Sequence, residues 1–378
     1  MAAKSFMAGA LSQEEAFARI RLLRSPNVGP VSYRQLLARF GTAAASLEAL
    51  PDLAGRGGAR YQAAPAGRIE AEIAAVRRAG ARFCFHDSAD YPPLLRHSEG
   101  APAILTLRGN PALAERPAVA VVGARNASAG AVKLARTFAG ELAEAGFAVV
   151  SGLARGVDGA AHKGALAGAA AGSGTIGVIA SGIDVAYPPE HADLQEQIAQ
   201  QGLLMAEQPA GTEPLARHFP ARNRIIAGIA AGTMVVEAAW KSGSLITARL
   251  AGEMGREVMA VPSSPLDARS QGCNQLIRDG AVLVQSAQEV IELLNDFAGQ
   301  PRSTFRETAP AFDGIADRCP DEAAPADVTA LLSTAPVSVD EIIRQSGAAP
   351  ATVQLALLKL ELAGRLVRHA AGRVSLLA

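Results

Sequence analysis

The sequence is short of aromatic residues, of cysteine and of any surplus charge, and each shortage closes off a class of protein. Lysine and arginine together number 36, as do aspartate and glutamate, so the formal net charge is zero. A chain without bulk positive charge is not drawn as a whole to nucleic acid or anionic lipid, and any polyanion site has to be local. The three cysteines, Cys84, Cys273 and Cys319, stand far apart and form no CxxC pair. That disfavours both a zinc site and a disulfide framework and fits a reducing cytoplasm. No apolar stretch reaches the roughly 18 residues of a membrane span. The N-terminal MAAKSFMAGALSQEEAFARI also lacks the basic-then-apolar design of a signal peptide. The expectation is a soluble cytoplasmic protein that makes no membrane contact.

What is plentiful is aliphatic. Hydrophobic residues make up 49% of the chain and aromatics only 4%, so the core has to be built from Ala, Val, Leu and Ile. At 378 residues the chain is too long for one ordinary domain. Residues 12–24, SQEEAFARIRLLR, read as a helix capped by Ser12. A glycine turn then leads to a second helix carrying Leu36, Leu37 and Phe40. This is the pattern of a helix-hairpin-helix, whose glycine turn can offer N–H groups to a phosphate. A helical packing unit without a ligand explains it equally well. Residues 1–67 are expected to form this helical domain, its last part a Gly-, Pro- and Ala-rich connection.

Residues 68–110 read as a helix, a short strand (RFCFH) and an irregular YPPLL stretch ending in LTLRGN. From Ala118 onward seven short apolar runs follow, AVAVVG, FAVVSG, TIGVIASG, GLLMAE, TMVVEA, EVMAVP and AVLVQS, separated by helix-length segments. Continuous rather than alternating apolarity marks strands covered on both faces, hence a doubly wound parallel sheet of Rossmann-like α/β class over residues 68–298. Residues 299–325 have linker composition. Residues 326–378 carry three helical segments and a small hairpin around Gly372, the pattern of a winged helix.

A parallel sheet presents ligands to the carboxyl ends of its strands. The segments there, GAR (123–125), SGLARG (151–156), EQPAG (207–211) and EAAWKSGS (237–244) among them, are dominated by Gly, Ser and Ala with isolated Arg and Lys. Small residues let a ligand reach the backbone, and helix N-termini supply donors to an anion, so phosphate binding is the natural inference. A dinucleotide site is disfavoured, because GARNASAG is not GxGxxG and the second strand ends in VVSG rather than an acid. A P-loop is disfavoured because Lys241-Ser242 follows Trp240 without the required glycines. Hydrolytic candidates are Asp158 and His162, four apart on one helix face, and the strand-end acids Glu207 and Glu237. A structural role for the Asp158–His162 pair ranks ahead of a catalytic one. Glu237 is available to anchor Arg222 or Arg224. No metal-ligand spacing or nucleophile elbow occurs.

The segment FPARNRIIAG (219–228) adds Arg222 and Arg224 near the start of a helix that Asn223 is placed to cap, with Arg217 and Phe219 close by. Residues 215–235 hold three arginines and no acid. Basic groups beside an aromatic ring suit a phosphodiester strand with splayed bases. A salt-bridge role for one of the two arginines stands beside this reading.

In order along the chain, VVGARNAS, SGLARGVDGAAHKGAL, ASGIDVAYPPEH, EQPAGTEPLARHFPARNRIIAGIAAGTMVVEAAWKSGSLITARLAGEMGREVMAVP and GCNQLIRDGA closely resemble the DNA-processing protein A (DprA/Smf) family. The resemblance covers roughly 68–298, with RNRIIAG and SGSLITA as its most specific pair. It implies an extended Rossmann-like domain that binds single-stranded DNA, acts as a homodimer and loads the RecA recombinase during natural transformation, with no cofactor and no catalysis. By motif position it places DNA contacts on Arg125, Phe219, Arg222, Asn223, Arg224, Ser242, Gly243 and Ser244, with Lys241 ahead of the last three; the strand-end and neighbouring residues Gly123, Ser151, Gly152, Arg155 and Arg217 complete the expected contact surface. Two departures stand out: Ala124 replaces the usual serine, removing a hydroxyl, and Ser263 replaces a usual glycine. The winged helix looks weak for duplex readout. Only Gln354 and Lys359 present themselves as readers, and residues 326–378 hold five basic against four acidic side chains. The rival reading is a nucleotide-binding sensor or a nucleoside-monophosphate phosphoribohydrolase-like enzyme on a similar fold. That family's PGGxGT-type loop with its glutamate is replaced here by WKSGSLITAR.

Overall fold

The structure is a computed structural model that describes residues 11–54, 61–98, 100–169, 173–295, 328–369 and 372–377. The described residues fall into two compact units, one drawn from 1–70 and 305–378 and the other from 71–304.

In the first unit α1 (Gln13–Leu23), α2 (Pro30–Phe40) and α3 (Ala43–Ala54) bury Leu22, Leu36 and Leu50 completely. Ser12 caps α1, accepting the Glu15 N–H at 3.1 Å. Pro30 opens α2 at the one helical position where its missing N–H costs nothing. The preceding Gly29 donates its N–H to Ser32 Oγ at 2.8 Å, so the donor that the glycine turn was expected to hold out to a phosphate is engaged within the turn.

α4 (Ala66–Arg78) runs across both the expected 67/68 boundary and the division between the units after Glu70, and the second unit continues with β1 (Arg82–Phe85), α5 (Pro93–Arg96) and β2 (Ile104–Gly109). The seven apolar runs then form β3 (Ala118–Val122), β4 (Ala148–Ser151), β5 (Gly174–Ile179), β6 (Leu203–Ala206), β7 (Gly232–Val235), β8 (Glu257–Ala260) and β9 (Val282–Leu283). Between them lie α6 (Ala129–Glu144), α7 (Val157–Ala167), α8 (Ala192–Gln201), α9 (His218–Ile229), α10 (Gly243–Glu253) and α11 (Gln271–Arg278), with α12 (Ala287–Leu294) closing the unit. The sheet order is β1-β2-β6-β5-β4-β3-β7-β8-β9. β3 to β9 are parallel, and β1 and β2 join antiparallel at the β6 edge. Successive residues of β3 enter two different cores. Ala118, Ala120 and Val122 pack with α9, α10 and α11, whereas Val119 and Val121 pack with α6, α7 and α12. This is the doubly wound fold that continuous apolar strands require.

The remaining part of the first unit has β10 (Val337–Ser338), α13 (Val339–Ser346), α14 (Pro350–Leu362), β11 (Leu366–His369) and β12 (Arg373–Leu376), the strands ordered β10-β12-β11. It differs from three helices and a two-stranded hairpin. The first expected helix is, among the described residues, a single 3-10 turn at Val328–Leu331, and Val337 pairs with Val374 to add a third strand.

Candidate nucleic-acid interface

The sheet reverses its winding between β3 and β7. From β3 the chain winds through β4, β5 and β6 in one direction, and β7, β8 and β9 lie on the other side. Loops that leave the two strands at such a point turn away from each other and open a crevice at the carboxyl ends. A cleft of ≈ 620 Å³ lies there, lined by Gly123–Arg125 after β3 and by Trp240–Ser244 after β7, with Phe219 and Asn223 of α9. The walls are cross-tied. Ala124 N–H donates to Glu237 O at 2.7 Å, Val157 N–H donates to Ala124 O at 3.2 Å, and Ser128 N–H donates to Glu237 Oε1 at 3.0 Å. Glu237 thus holds the start of α6 and anchors neither Arg222 nor Arg224. Gly156, at φ +73, is required at this junction, since a Cβ there would lie 2.3 Å from Ala124 O.

Two of the exposed cations that line the cleft, Arg125 and Lys241, stand apart from any carboxylate partner among the described residues. Arg125 lays its guanidinium over the Phe219 ring, 5.0 Å from the centroid, and Phe219 in turn meets Tyr187 at 5.6 Å and 57°. Lys241 sits in a left-handed conformation, φ +67, in a turn closed by Ser242 N–H to Ala239 O at 3.0 Å. Neither makes an ion pair among the described residues. Ser242 precedes α10, whose first turn carries Gly243 and Ser244 at the end where a helix leaves N–H groups without intrahelical partners. The hydroxyls of Ser242 and Ser244 are 2.9 Å apart.

The two arginines of FPARNRIIAG do not stand in the cleft as an exposed pair. α9 begins at His218, so both lie inside the helix, and Asn223 does not cap it but donates Nδ2–H to Gly243 O at 3.3 Å. Arg222 is only 6% exposed and donates from Nη1 to Val178 O at 3.1 Å beneath the cleft. Arg224 pairs with Glu207 at 2.5 Å and donates to Gly100 O at 2.6 Å. The acid that was absent from the neighbouring sequence arrives from the end of β6. Ser151 is fully buried and donates its hydroxyl to Val121 O at 2.6 Å, and the Gly152 N–H goes to Asp158 Oδ2 at 3.2 Å. Arg155 is ion-paired with Glu190. Arg217, exposed, precedes α9 outside the cleft lining.

Against known proteins, residues 82–295 match the family described as DNA recombination-mediator protein A. Residues 13–75 match the DprA-like N-terminal HHH domain and residues 316–372 the DprA winged helix domain. The chain belongs to the DNA recombination-mediator protein A family. It is 46% identical over 202 residues to DNA processing protein DprA of Streptococcus pneumoniae, covering 53% of this chain and 70% of that protein. To protein Smf of Escherichia coli it is 36% identical over 327 residues, 84% of this chain and 83% of the relative. Among solved structures, DNA processing protein A of S. pneumoniae superposes with TM-score 0.62 at 35% identity, covering 75% of this chain and 98% of that one. DNA processing protein A from Helicobacter pylori, described for its single-stranded DNA binding mode, superposes with TM-score 0.50 at 30% identity over 56% of this chain and 95% of that one.

Asp158 and His162 form a support beneath these loops. Asp158, in the first turn of α7, accepts N–H groups from Gly152 and Ala154, at 3.2 and 3.4 Å. Burial pushes its carboxyl above the ordinary range, an effect that the Arg222 charge and these N–H donors oppose. His162, fully buried, accepts the Leu153 N–H on Nε2 at 3.3 Å and contacts Thr175 Oγ1 through Nδ1 at 2.7 Å. Burial lowers its pKa to about 3, so it is neutral at pH 7. Because the unfolded chain takes up this proton first, stability should fall on acidification below the free-histidine value, by about 1.4 kcal/mol per pH unit from this group alone. Asp158, raised, contributes a slope of opposite sign. Comparing urea unfolding of wild type and His162→Gln between about pH 4 and 6.5 isolates the histidine part; equal slopes in the two proteins would contradict it.

Two cleft residues went unassigned in the sequence. Arg269 reaches the cleft from the loop after β8, its charge offset by Asp267 at 2.9 Å. Trp240 lines the cleft beside Lys241, and the signal available was its position: a tryptophan between a strand end and KSGS in an aromatic-poor chain. On α14, the helix that a winged helix lays in the major groove, Gln354 accepts a hydrogen bond from Gln35 at 2.9 Å, and the helix packs on α3. Asn27 adds a bond to Leu362 O at 3.0 Å.

Among the described residues no group of His, Cys, Asp and Glu is arranged to hold a metal, and no helix is long and apolar enough to cross a membrane.

Proposed function

We propose that the protein binds single-stranded DNA at the cleft between β3 and β7, protects the incoming strand and loads the RecA recombinase onto it in natural transformation. It does so without catalysis, in the cytoplasm, as a homodimer. The observation that carries the reading is the pairing of exposed, unneutralised cations, Arg125 and Lys241, with the Phe219 ring and the α10 N-terminus in one crevice. Charges that track phosphates next to a ring that stacks a base are the means by which proteins hold single strands. The likeness to the H. pylori protein described for single-stranded DNA binding points the same way.

The contact set follows from exposure and position: Gly123, Arg125, Phe219, Asn223, Lys241, Ser242, Gly243 and Ser244 meet the strand. Ser151, Gly152 and Arg222 support it from below, and Arg155, Arg217 and Arg224 stand outside the main cleft. In this division residues 68–298 carry the strand and 1–67 and 326–378 are accessory, while the expected linker, 299–325, lies outside the described residues. The covered face of α14 favours a protein-contact role for the winged helix. Pairing of two copies is supported at the open sheet edge, where Val282 and Leu283 of β9 are 38% and 44% exposed. The absence of hydrolysis is supported by the strand-end acids, because Glu207 pairs with Arg224 and Glu237 holds Ser128.

Anisotropy titration of labelled single- and double-stranded oligonucleotides at several salt concentrations tests the reading. Single strands should bind more tightly, with a log–log salt slope near −0.7 per phosphate held. Equal or tighter duplex binding would overturn it. Sustained release of free base from AMP would establish the phosphoribohydrolase reading instead, and light scattering that finds a monomer at micromolar concentration would remove the dimer.

A further inference from the structure

Among the described residues ten large apolar side chains are exposed, and the aliphatic ones are spread over α6, β9, the winged-helix segment and separate loops, but the aromatic ones are not. Among the described residues the exposed large aromatics are Tyr187, 41% exposed, and Trp240, 59% exposed. Both line clefts at the carboxyl end of the sheet. Trp240 belongs to the cleft between β3 and β7, and Tyr187 to a smaller one that shares Arg125, Phe219 and Arg222 with it. Phe219 therefore lies where the two clefts meet, in contact with Tyr187 and under the Arg125 guanidinium. In a chain that is 4% aromatic, an indole left largely in water contributes little to the core. It is carried on the turn that also carries the exposed Lys241, and that turn is held in a left-handed backbone conformation costly for a side-chain-bearing residue.

We propose that Trp240 stacks a base of the bound single strand, so that bases meet Trp240 in one cleft and the Phe219–Tyr187 pair in the next while Arg125 and Lys241 hold phosphates. This rests on the reading of the cleft as a single-strand site and adds to it a second stacking platform. A planar indole beside an ammonium group is suited to an unpaired nucleotide, whose base offers a π face and whose phosphate offers a charge. Paired bases inside a duplex offer no such face, so the residue selects for single strands without selecting a sequence.

The chain has a single tryptophan, so its intrinsic fluorescence reports on Trp240 alone. Titrating the full-length protein with oligo-dT should quench that emission, with a midpoint matching the anisotropy of the same oligonucleotide carrying a label. An abasic strand of equal length should bind through its phosphates and leave the emission unchanged. Trp240→Ala should weaken oligo-dT binding about 5- to 100-fold, the range that one base–aromatic stack supplies, and leave the salt slope unaltered because no phosphate contact is lost. Trp240→Phe should recover most of the loss. Trp240→Ala should melt like wild type, since the ring is exposed.

Anisotropy that reports tight binding while the emission stays constant would overturn the proposal and leave the cleft reading intact. So would a Trp240→Ala protein that binds like wild type. An emission that shifts with protein concentration and not with DNA would overturn it in favour of a contact between chains. A wild-type protein that fails to change the anisotropy at all would remove the cleft reading itself, and this proposal with it.

Discussion

Arg222→Met is expected to destabilise the protein by about 1–3 kcal/mol, because it takes a buried donor from Val178 O and removes the cation whose charge the buried Asp158 carboxyl senses. Arg222 is buried beneath the cleft, and burial lowers its pKa to about 10, so it remains charged at pH 7. Its charge is set against Asp158, itself buried. Methionine replaces much of the side-chain volume and none of the charge, so the variant leaves the Asp158 carboxylate without its compensating cation. Asp158 can answer by taking up a proton, since burial already raises its pKa and loss of the cation raises it further. A carboxyl whose folded-state pKa exceeds its unfolded value loses stability as pH rises through the folded value. The deficit of the variant should therefore be larger near pH 8 than near pH 5, and Arg222→Met/Asp158→Asn should recover part of it at both. Urea unfolding at the two pH values measures this. A variant as stable as wild type but defective in DNA binding would show that Arg222 acts on the ligand and not on the fold. The neighbouring Gly152 makes the same point sterically: a Cβ there would lie 1.5 Å from Arg222 Nη1, a space that only glycine leaves to the guanidinium.

Arg125→Ala/Lys241→Ala should lower affinity for single strands roughly 100-fold near 0.1 M salt, two charge-assisted contacts at about 1.5 kcal/mol each. It should also flatten the log–log salt slope by about 1.4, or 0.7 for each phosphate released. Both side chains are exposed, so thermal stability should stay close to that of wild type. Lys241→Gly separates the two effects further. It removes the ammonium and also the left-handed backbone penalty, on the order of 1 kcal/mol, so stability should rise while affinity falls. Anisotropy and a thermal melt on the same preparations decide the matter. An unchanged salt slope in the double variant would move the phosphate contacts elsewhere.

These expectations differ from a reading of FPARNRIIAG as an exposed clamp, and the reason is physical. A sequence displays which residues are near in the chain, but an ion pair depends on which are near in space. Residues 215–235 contain no acid, yet Arg224 pairs with Glu207 from the end of β6, and Arg222 is buried where the charge of Asp158 from α7 acts on it without an ion-pair contact. The same limitation applies to Ser151 and Gly152, whose polar groups looked available at a strand end. Val121 and Asp158 occupy them, one from the neighbouring β3 and one from the next helix. Trp240 is the opposite case. Its type and position were legible, but its exposure at the cleft was not.

The sequence by itself determined the seven apolar strands and their parallel arrangement, the capped first helix, the winged-helix segment and the family. Each of these rests on local periodicity or on residues adjacent in a motif, and strands buried on both faces write their burial directly into an unbroken Val- and Ile-rich run. Only the tertiary structure decided which basic residues face the cleft and which are neutralised beneath it. It alone decided that Glu237 holds α6 and that α14 packs against the N-terminal helices. The cleft and the role of Glu237 follow from the reversal of winding between β3 and β7, the α14 contact from two segments far apart in the chain folding into one unit, and no window along the chain contains both partners of such a contact.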